Sequence, residues 1–326
     1  MLLTRGEGSS KMGSVKTEAL AYAFFQGKIV KTEDAKVSIM TNALQYGTGI
    51  FGGLRGYYNK KENYISVFRI DDHYKRFLSS IHILGCAFPY SASELRGITL
   101  ELLKKNSPKT DVYFRPFAYL GHTNIGPNLA DATMDFSLYM IPMGEYLPVD
   151  KGLSVLVSSW RRITENSISP RAKISGAYVN SALARKEAIE NGYDEAIFLN
   201  DNGHVCEGSA ENIFIVRDGV LITPSIADDI LEGITRRSII QLAKDLNISV
   251  EERSVARSEL YIADEAFFAG TGVQVAWIRE VDKRRVGDGK RGKITSVLQD
   301  KFFKIARGED EKYKDWCTKV EIKSPA

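Results

Sequence analysis

The sequence predicts an α+β protein of two domains, and three observations carry that expectation. Short apolar runs face one another across glycine-bearing turns, amphipathic stretches with helical spacing lie between them, and no glycine fingerprint of a dinucleotide-binding parallel sheet is present. At 326 residues with 44% apolar side chains, the chain has material for one large core or two ordinary ones. Its 27 glycines and 9 prolines exclude collagen-like or low-complexity character. The 44 basic and 41 acidic residues are interleaved, so the net charge of +3 forms no stripe suited to nucleic acid. Cys86, Cys206 and Cys317 lie far apart without metal-ligand spacing, which points to a reducing, cytoplasmic setting. His73, His82, His122 and His204 are equally scattered, so no metal site is expected. No apolar run reaches the roughly eighteen residues that span a bilayer, and no membrane association is expected.

The expected boundaries are a flexible leader at 1–17, a smaller α+β domain at 18–143, a linker at 144–152 holding Gly144 and Pro148, and a larger domain at 153–326. The leader lacks the apolar core of a secretory signal, and Met12 offers an internal start. Tyr22 to Phe25, the turn pair Gln26-Gly27 and Lys28 to Val30 read as a hairpin. Asp71-Asp72 reads as the cap of a helix whose Tyr74, Phe77, Leu78, Ile81 and Leu84 recur at helical spacing. Ser91 and Glu94 have capping-box spacing for a second helix ending near Asn106-Ser107-Pro108. Asp111 to Leu120 and Met134 to Met143 read as strands. On the first, Tyr113 and Arg115 are two apart and share a face.

In the second half, Leu153 to Trp160 is strand-like, and a Pro170 turn precedes a helical run that closes at Gly192. Glu195 to Leu199, the turn Asp201-Asn202-Gly203 and His204-Val205 make a hairpin by turn chemistry. Ile213 to Val216, Arg217-Asp218-Gly219 and Val220 to Thr223 make another. A helix opens at Leu231-Glu232-Gly233-Ile234-Thr235-Arg236 and runs to about Leu246. The strand Ala266 to Phe268 leads into the loop Ala269 to Val273, and a last amphipathic helix spans Ile294 to Arg307.

Several stretches invite a chemical reading beside the plain one. Lys173 stands between a strand and a helix among small and apolar neighbours, where an ammonium is awkward although a helix-start lysine is usually just solvated. Ala43 to Tyr57 is glycine-rich and aromatic, and could be no more than a tightly packed corner. Gly233-Ile234-Thr235 opens a helix, where free N–H groups and the positive dipole end favour an anion, although most such starts bind water.

Lys173, Tyr178 five residues on, and the run Cys206-Glu207-Gly208-Ser209-Ala210-Glu211-Asn212 beyond them resemble the branched-chain aminotransferases of the fold-type IV pyridoxal-phosphate family. The resemblance extends from roughly Leu20 to Lys319. It includes His73-x-x-Arg76, Tyr113-x-Arg115-Pro116, Leu231-x-Gly233-Ile234-Thr235-Arg236 and Tyr46-Gly47-x-x-x-Phe51-x-Gly53-x-Arg55. It implies a two-domain fold-type IV enzyme with a smaller α+β N-terminal domain and a larger, β-barrel-like C-terminal domain with flanking helices. It further implies transamination of leucine, isoleucine or valine with 2-oxoglutarate on pyridoxal 5'-phosphate, in a homodimer or larger homo-oligomer.

By the same resemblance, Lys173 holds the cofactor and carries the proton, Glu207 faces the ring nitrogen, and Tyr178 donates to the ring 3-oxygen. Glu211 has the same chemistry as Glu207 and is read as orienting the loop. Arg76, Gly233, Ile234, Thr235 and Thr271 anchor the phosphate; a guanidinium suits this because it stays charged and gives two parallel bonds. Tyr46, Phe51 and Tyr146 wall the pocket, Tyr113 and Arg115 help hold the substrate carboxylate, and the backbone at Gly272 and Val273 receives it. Arg55 and Arg115 are the candidates for the second carboxylate of glutamate, with Arg115 preferred. Two positions depart from the family pattern: Gly52 stands where a glutamate is usual, and Met143 where a tryptophan is. The alternatives are a D-amino acid or (R)-amine transaminase, an aminodeoxychorismate lyase on the same fold, or a cofactor-binding protein without turnover.

Overall fold

The computed structural model describes residues 18–144 and 151–322. The leader at 1–17 and most of the linker, with Tyr146, lie outside the described residues.

The chain opens with the hairpin of β1 (Tyr22–Phe25) and β2 (Lys28–Lys31), turned by Gln26 and Gly27 at φ 46° and 84°. Two positive φ values in succession match the right-handed strand twist. Then come α1 (Asn42–Tyr46), β3 (Gly49–Phe51), β4 (Leu54–Asn59), β5 (Tyr64–Phe68), α2 (Ile70–Leu84), α3 (Ala92–Asn106), β6 (Val112–Tyr119) and β7 (Asp135–Pro142). The α3 capping box forms as expected, with Ser91 and Glu94 bonding reciprocally. The α2 start differs: the cap is Arg69, in the left-handed region at φ 48°, and Asp71 and Asp72 lie inside the first turn. Asp72 instead accepts from Arg69 Nε at 2.7 Å, and in the first turn both carboxylates face the positive dipole end.

The second half contains β8 (Leu153–Arg161), α4 (Tyr178–Glu190), β9 (Glu195–Leu199), β10 (Val205–Gly208), β11 (Asn212–Arg217), β12 (Val220–Thr223), α5 (Ile234–Asp245), β13 (Val250–Glu252), β14 (Glu265–Gly270), β15 (Gln274–Val281), β16 (Arg284–Arg285), α6 (Lys293–Ala306) and β17 (Cys317–Glu321). Its sheet runs β10-β9-β8-β15-β14-β11-β12-β13, and a further pairing of β10 with β11, Glu207 opposite Asn212, closes the first six strands into a barrel. The barrel-like expectation is therefore met. Side chains alternate across its wall. Ile213, Ile215, Phe268, Ala276 and Ile278 fill the inside with Leu153 and Val155. Phe214, Val216, Phe267 and Trp277 face outward and meet Ile239, Leu242, Leu298 and Phe302 of α5 and α6. On another side, Ala184 and Ala188 of α4 pack against Ala196 and Phe198.

The first sheet runs β17-β5-β4-β6-β7-β1-β2, with β3 beside β6. Its edge partner β17 comes from the far end of the chain. After the barrel the chain crosses back, and Cys317 to Glu321 pairs antiparallel with Phe68 to Tyr64. The two halves are thus tied by a strand as well as by packing.

Candidate active site

The segment bearing Lys173 is stitched to β3. Phe51 N–H donates to Lys173 O at 3.1 Å, Ser175 N–H to Gly49 O at 2.8 Å, and Gly176 N–H to Gly47 O at 3.1 Å. The approach needs glycine, since a Cβ on Gly47 would stand 2.7 Å from Gly176 Cα and Gly47 already has φ 68°. On its far side, Lys173 N–H donates to Ser80 Oγ on α2 at 3.2 Å.

The amine is thereby aimed into a cleft between two rings. Lys173 Nζ hydrogen-bonds Tyr178 Oη and sits 4.9 Å from the Phe51 centroid and 4.8 Å from that of Tyr178. Those rings meet edge to face, centroids 4.6 Å apart. Burial, reinforced by Arg76, Arg115 and Arg162, holds the lysine well below its ordinary pKa, against the opposing pull of Glu207. The Tyr178 phenol is pushed up, first by burial and then by Glu207. The site therefore favours a neutral amine beside a protonated phenol.

Glu207 is fixed at both oxygens. Oε1 accepts from Arg162 Nη2 at 2.8 Å, and Oε2 from Asn212 Nδ2 at 2.9 Å and Leu231 N–H at 3.1 Å. Burial raises its pKa, while Arg162 pulls the other way and keeps a charge in place. Glu211, four residues on, is in a different situation. It is buried beside Glu195, and burial and that second carboxylate raise it well above the usual range. Arg185, 3.7 Å from Glu195, supplies one positive charge for the two carboxyls, so the pair keeps a proton. Glu207 is the carboxylate in the electrostatic reach of Lys173.

Across the cleft α2 and α5 begin side by side. Arg69 Nη1 donates to Ser238 Oγ at 2.9 Å, Arg237 pairs with Asp72 at 3.4 Å, and Arg76 Nη1 donates to Glu232 O at 3.2 Å. Gly233 is the extended N-cap of α5, and Ile234 and Thr235 are buried in its first turn, where amides lack intrahelical partners. A larger residue at 233 would displace Asn212, because a Cβ would stand 2.0 Å from its Oδ1. Thr271, Gly272 and Val273 form the turn between β14 and β15, with Val273 buried.

On the remaining wall, Arg115 Nη2 donates to Tyr113 Oη at 3.3 Å, and the guanidinium lies 4.9 Å from the Phe51 centroid. Among the described residues no carboxylate pairs with Arg115, and its Nε lacks a partner. The absence of a Cβ at Gly53 makes room for the Tyr113 hydroxyl, which would otherwise be 2.0 Å away. Gly52 is constrained too: its N–H donates to Pro116 O at 2.8 Å, and a Cβ would stand 2.6 Å from Pro116 Cγ.

Two of the expected residues are placed differently from the rest. Arg55 is 3% exposed and spends its guanidinium on carbonyls: Gly272 O at 3.0 Å, Met143 O at 2.9 Å, and Gly144 O. It clamps the β14–β15 turn to the start of the linker, while its Nε has no partner among the described residues. Tyr46 lies at the surface at the end of α1, 38% exposed, with its hydroxyl accepting from Gly126 N–H at 3.0 Å. The structure thus brings Lys173, Tyr178, Glu207, Arg76, Phe51, Tyr113 and Arg115 together; Arg55, opposite Tyr113, reaches Gly272 O, and Tyr46 lies at the surface. Arg162, Ser80 and Asn212 were not singled out from sequence. Of these, only Asn212 had a signal, as the last residue of the E-G-x-x-E-N run.

Comparison with known proteins gives concordant results. Residues 49–281 match a family model described as amino-transferase class IV. A protein of Aquifex aeolicus named a probable branched-chain-amino-acid aminotransferase is 48% identical, covering 94% of this chain and 99% of the relative. The crystal structure of the branched-chain aminotransferase of Thermoproteus uzoniensis with norvaline superposes with a TM-score of 0.89 at 42% identity, covering 93% of this chain and 99% of the other. The branched-chain amino acid aminotransferase of Thermobaculum terrenum, in its PLP-bound holo form, gives a TM-score of 0.89 at 37% identity, covering 93% of this chain and 99% of the other.

Proposed function

The chain belongs to the amino-transferase class IV family, and from that premise we propose that it is a branched-chain-amino-acid aminotransferase, moving the amino group of leucine, isoleucine or valine to 2-oxoglutarate on pyridoxal 5'-phosphate. The observation that carries the assignment of its centre is the buried amine of Lys173, hydrogen-bonded to Tyr178, within electrostatic reach of a Glu207 locked by Arg162.

The residues fit the cofactor at each of its functional ends. A guanidinium and a helix start suit a phosphate, a fixed carboxylate suits a pyridinium, and a phenol beside an amine suits the ring oxygen and the aldehyde carbon. Bound, the cofactor supplies an electron sink for the charge left at the substrate's α carbon. Lys173 Nζ takes the α proton and returns it. Burial and the neighbouring arginines lower the pKa of the amine and so favour the unprotonated form that this step uses. Glu207 holds a proton on the ring nitrogen, and Arg162, Asn212 and Leu231 N–H keep its carboxylate aimed. Tyr178 donates toward the ring oxygen from the same hydroxyl that meets Lys173. Arg76, the amides of Gly233, Ile234 and Thr235, and Thr271 anchor the phosphate.

Two unlike substrates share the pocket. The Phe51 face takes a branched aliphatic side chain, with Tyr113 and the backbone at Gly272 and Val273 receiving the α-carboxylate. Arg115, which has no carboxylate partner among the described residues, takes the second carboxylate of glutamate and rests on Phe51 when an apolar side chain is bound.

We assign the active form as a homodimer or larger. Ile39, Met40, Leu44 and Ile125, 82%, 51%, 66% and 92% exposed, form an apolar patch joined by the Asn42 Nδ2 to Gly126 O bond. A patch of this kind, beside the strand that holds Lys173, suits a second copy of the chain. The compartment is cytoplasmic by the unpaired spacing of the three cysteines. Among the described residues no helix is long and apolar enough to cross a membrane.

The test is a donor panel with 2-oxoglutarate: L-leucine, D-alanine, (R)-1-phenylethylamine and aminodeoxychorismate. Glutamate formed from L-leucine alone supports the proposal. Turnover of one of the others instead assigns the corresponding relative, and no turnover of any leaves a binding protein.

A further inference from the structure

The peptide of Lys173 is gripped from two sides by different elements. Its carbonyl accepts from Phe51 N–H on β3 at 3.1 Å, and its N–H donates to Ser80 Oγ on α2 at 3.2 Å. The Ser80 hydroxyl in turn donates to Arg76 O, one turn back on the same helix, at 3.0 Å. A hydroxyl has one proton and two lone pairs, so it can give to the helix carbonyl and receive from a crossing strand at once. Ser80 is 1% exposed, and water does not compete for either bond. One oxygen thereby links the backbones of the residue that bears the amine and the residue that faces the phosphate.

We infer that Ser80 is a positioning residue for the reaction: its hydroxyl fixes the Lys173 backbone against the turn of α2 that carries Arg76, and so sets the span between the amine and the phosphate end of the cofactor site. This rests on the roles given above to Lys173 and Arg76. The physical need is clear. A lysine arm has four rotatable bonds, the cofactor is rigid, and only a fixed backbone makes the reach of the amine reproducible.

The neighbouring serine provides the control. Ser79 makes the same bond to the carbonyl four residues back, Lys75 O, at 3.0 Å, but on the exposed face and without contact to Lys173. If Ser80 acts only as a helix residue, the two serines are equivalent.

The experiment compares Ser80→Ala, Ser79→Ala and Lys173→Ala in the cofactor-loaded full chain, reading kcat and KM for L-leucine and the pH titration of the cofactor's visible absorbance. Ser80→Ala is expected to lower kcat about tenfold or more with KM within about twofold, because the carboxylate contacts of the substrate lie on β6 and the β14–β15 turn. It should also move the absorbance midpoint, whereas Ser79→Ala should match the parent in all three readings. Parent-like kcat and midpoint in Ser80→Ala, or equal effects from both serines, overturn the inference. If Ser80→Ala does not fold, Ser80→Cys fills the same space with a poor hydrogen-bonding atom, and parent-like values there overturn it equally. Turnover retained by Lys173→Ala would instead sink the assignment of the lysine, so the two failures are distinguishable.

Discussion

Glu207 and Glu211 are four residues apart, both buried and chemically identical, yet their surroundings differ. Arg162 answers the charge of Glu207, while Glu211 faces another carboxylate with one arginine for the two. Exchange of Glu207 for Gln should therefore slow kcat by roughly a hundredfold or more while the phosphate contacts retain the cofactor. Parent-like kcat in that variant removes Glu207 from the mechanism. For Glu211 the linkage sign is the reverse of an ordinary carboxylate. Its folded pKa is raised, so its contribution to stability is complete below the unfolded value and is lost as pH rises through the folded one. Glu211→Gln keeps the neutral form at every pH. It should raise the melting temperature above that of the parent at alkaline pH and flatten the loss, and a parent-like pH slope would mean the pair holds no proton. From the sequence, the choice between these glutamates rested on their order in the motif. The physical reasons were not legible there, because Arg162, Glu195 and Arg185 reach them only in the folded barrel.

Among the elements, what local chemistry determines was readable and what distant pairing determines was not. The turns at Gln26-Gly27 and Asp218-Gly219 have positive φ at both residues, and their sequences announce it. The Ser91 capping box is equally local. By contrast β15 and β17 were not anticipated: β15 is held against β8 and β17 against β5, partners far away in sequence. The bonds of Arg55 were not legible for the same reason, its guanidinium meeting carbonyls of Gly272 and Met143. The start of α5 shows what a local signal can carry. Gly233 leaves room for Asn212, which also holds Glu207, so one missing Cβ serves both ends of the cofactor site. Gly233→Ala should push Asn212 aside at a cost of about 1–3 kcal/mol and weaken cofactor retention, measured by dialysis against phosphate. Unchanged retention would mean that the helix start is not the phosphate seat.

At the scale of the whole molecule, the barrel and the first sheet enclose the cleft between them, held in register by the returning β17 and by the arginine seam of Arg69, Arg76 and Arg237. The apolar patch around Leu44 lies outside both cores and beside β3. Leu44→Asp should shift the chain toward monomer in light scattering and reduce activity, and an unchanged mass would remove that patch from the interface. The central claim, however, concerns one nitrogen. Borohydride reduction of the cofactor-loaded protein, followed by peptide mapping, should fix the pyridoxyl group on the peptide containing Lys173 and on no other. A label on a different lysine, or none with cofactor in excess, would contradict the account.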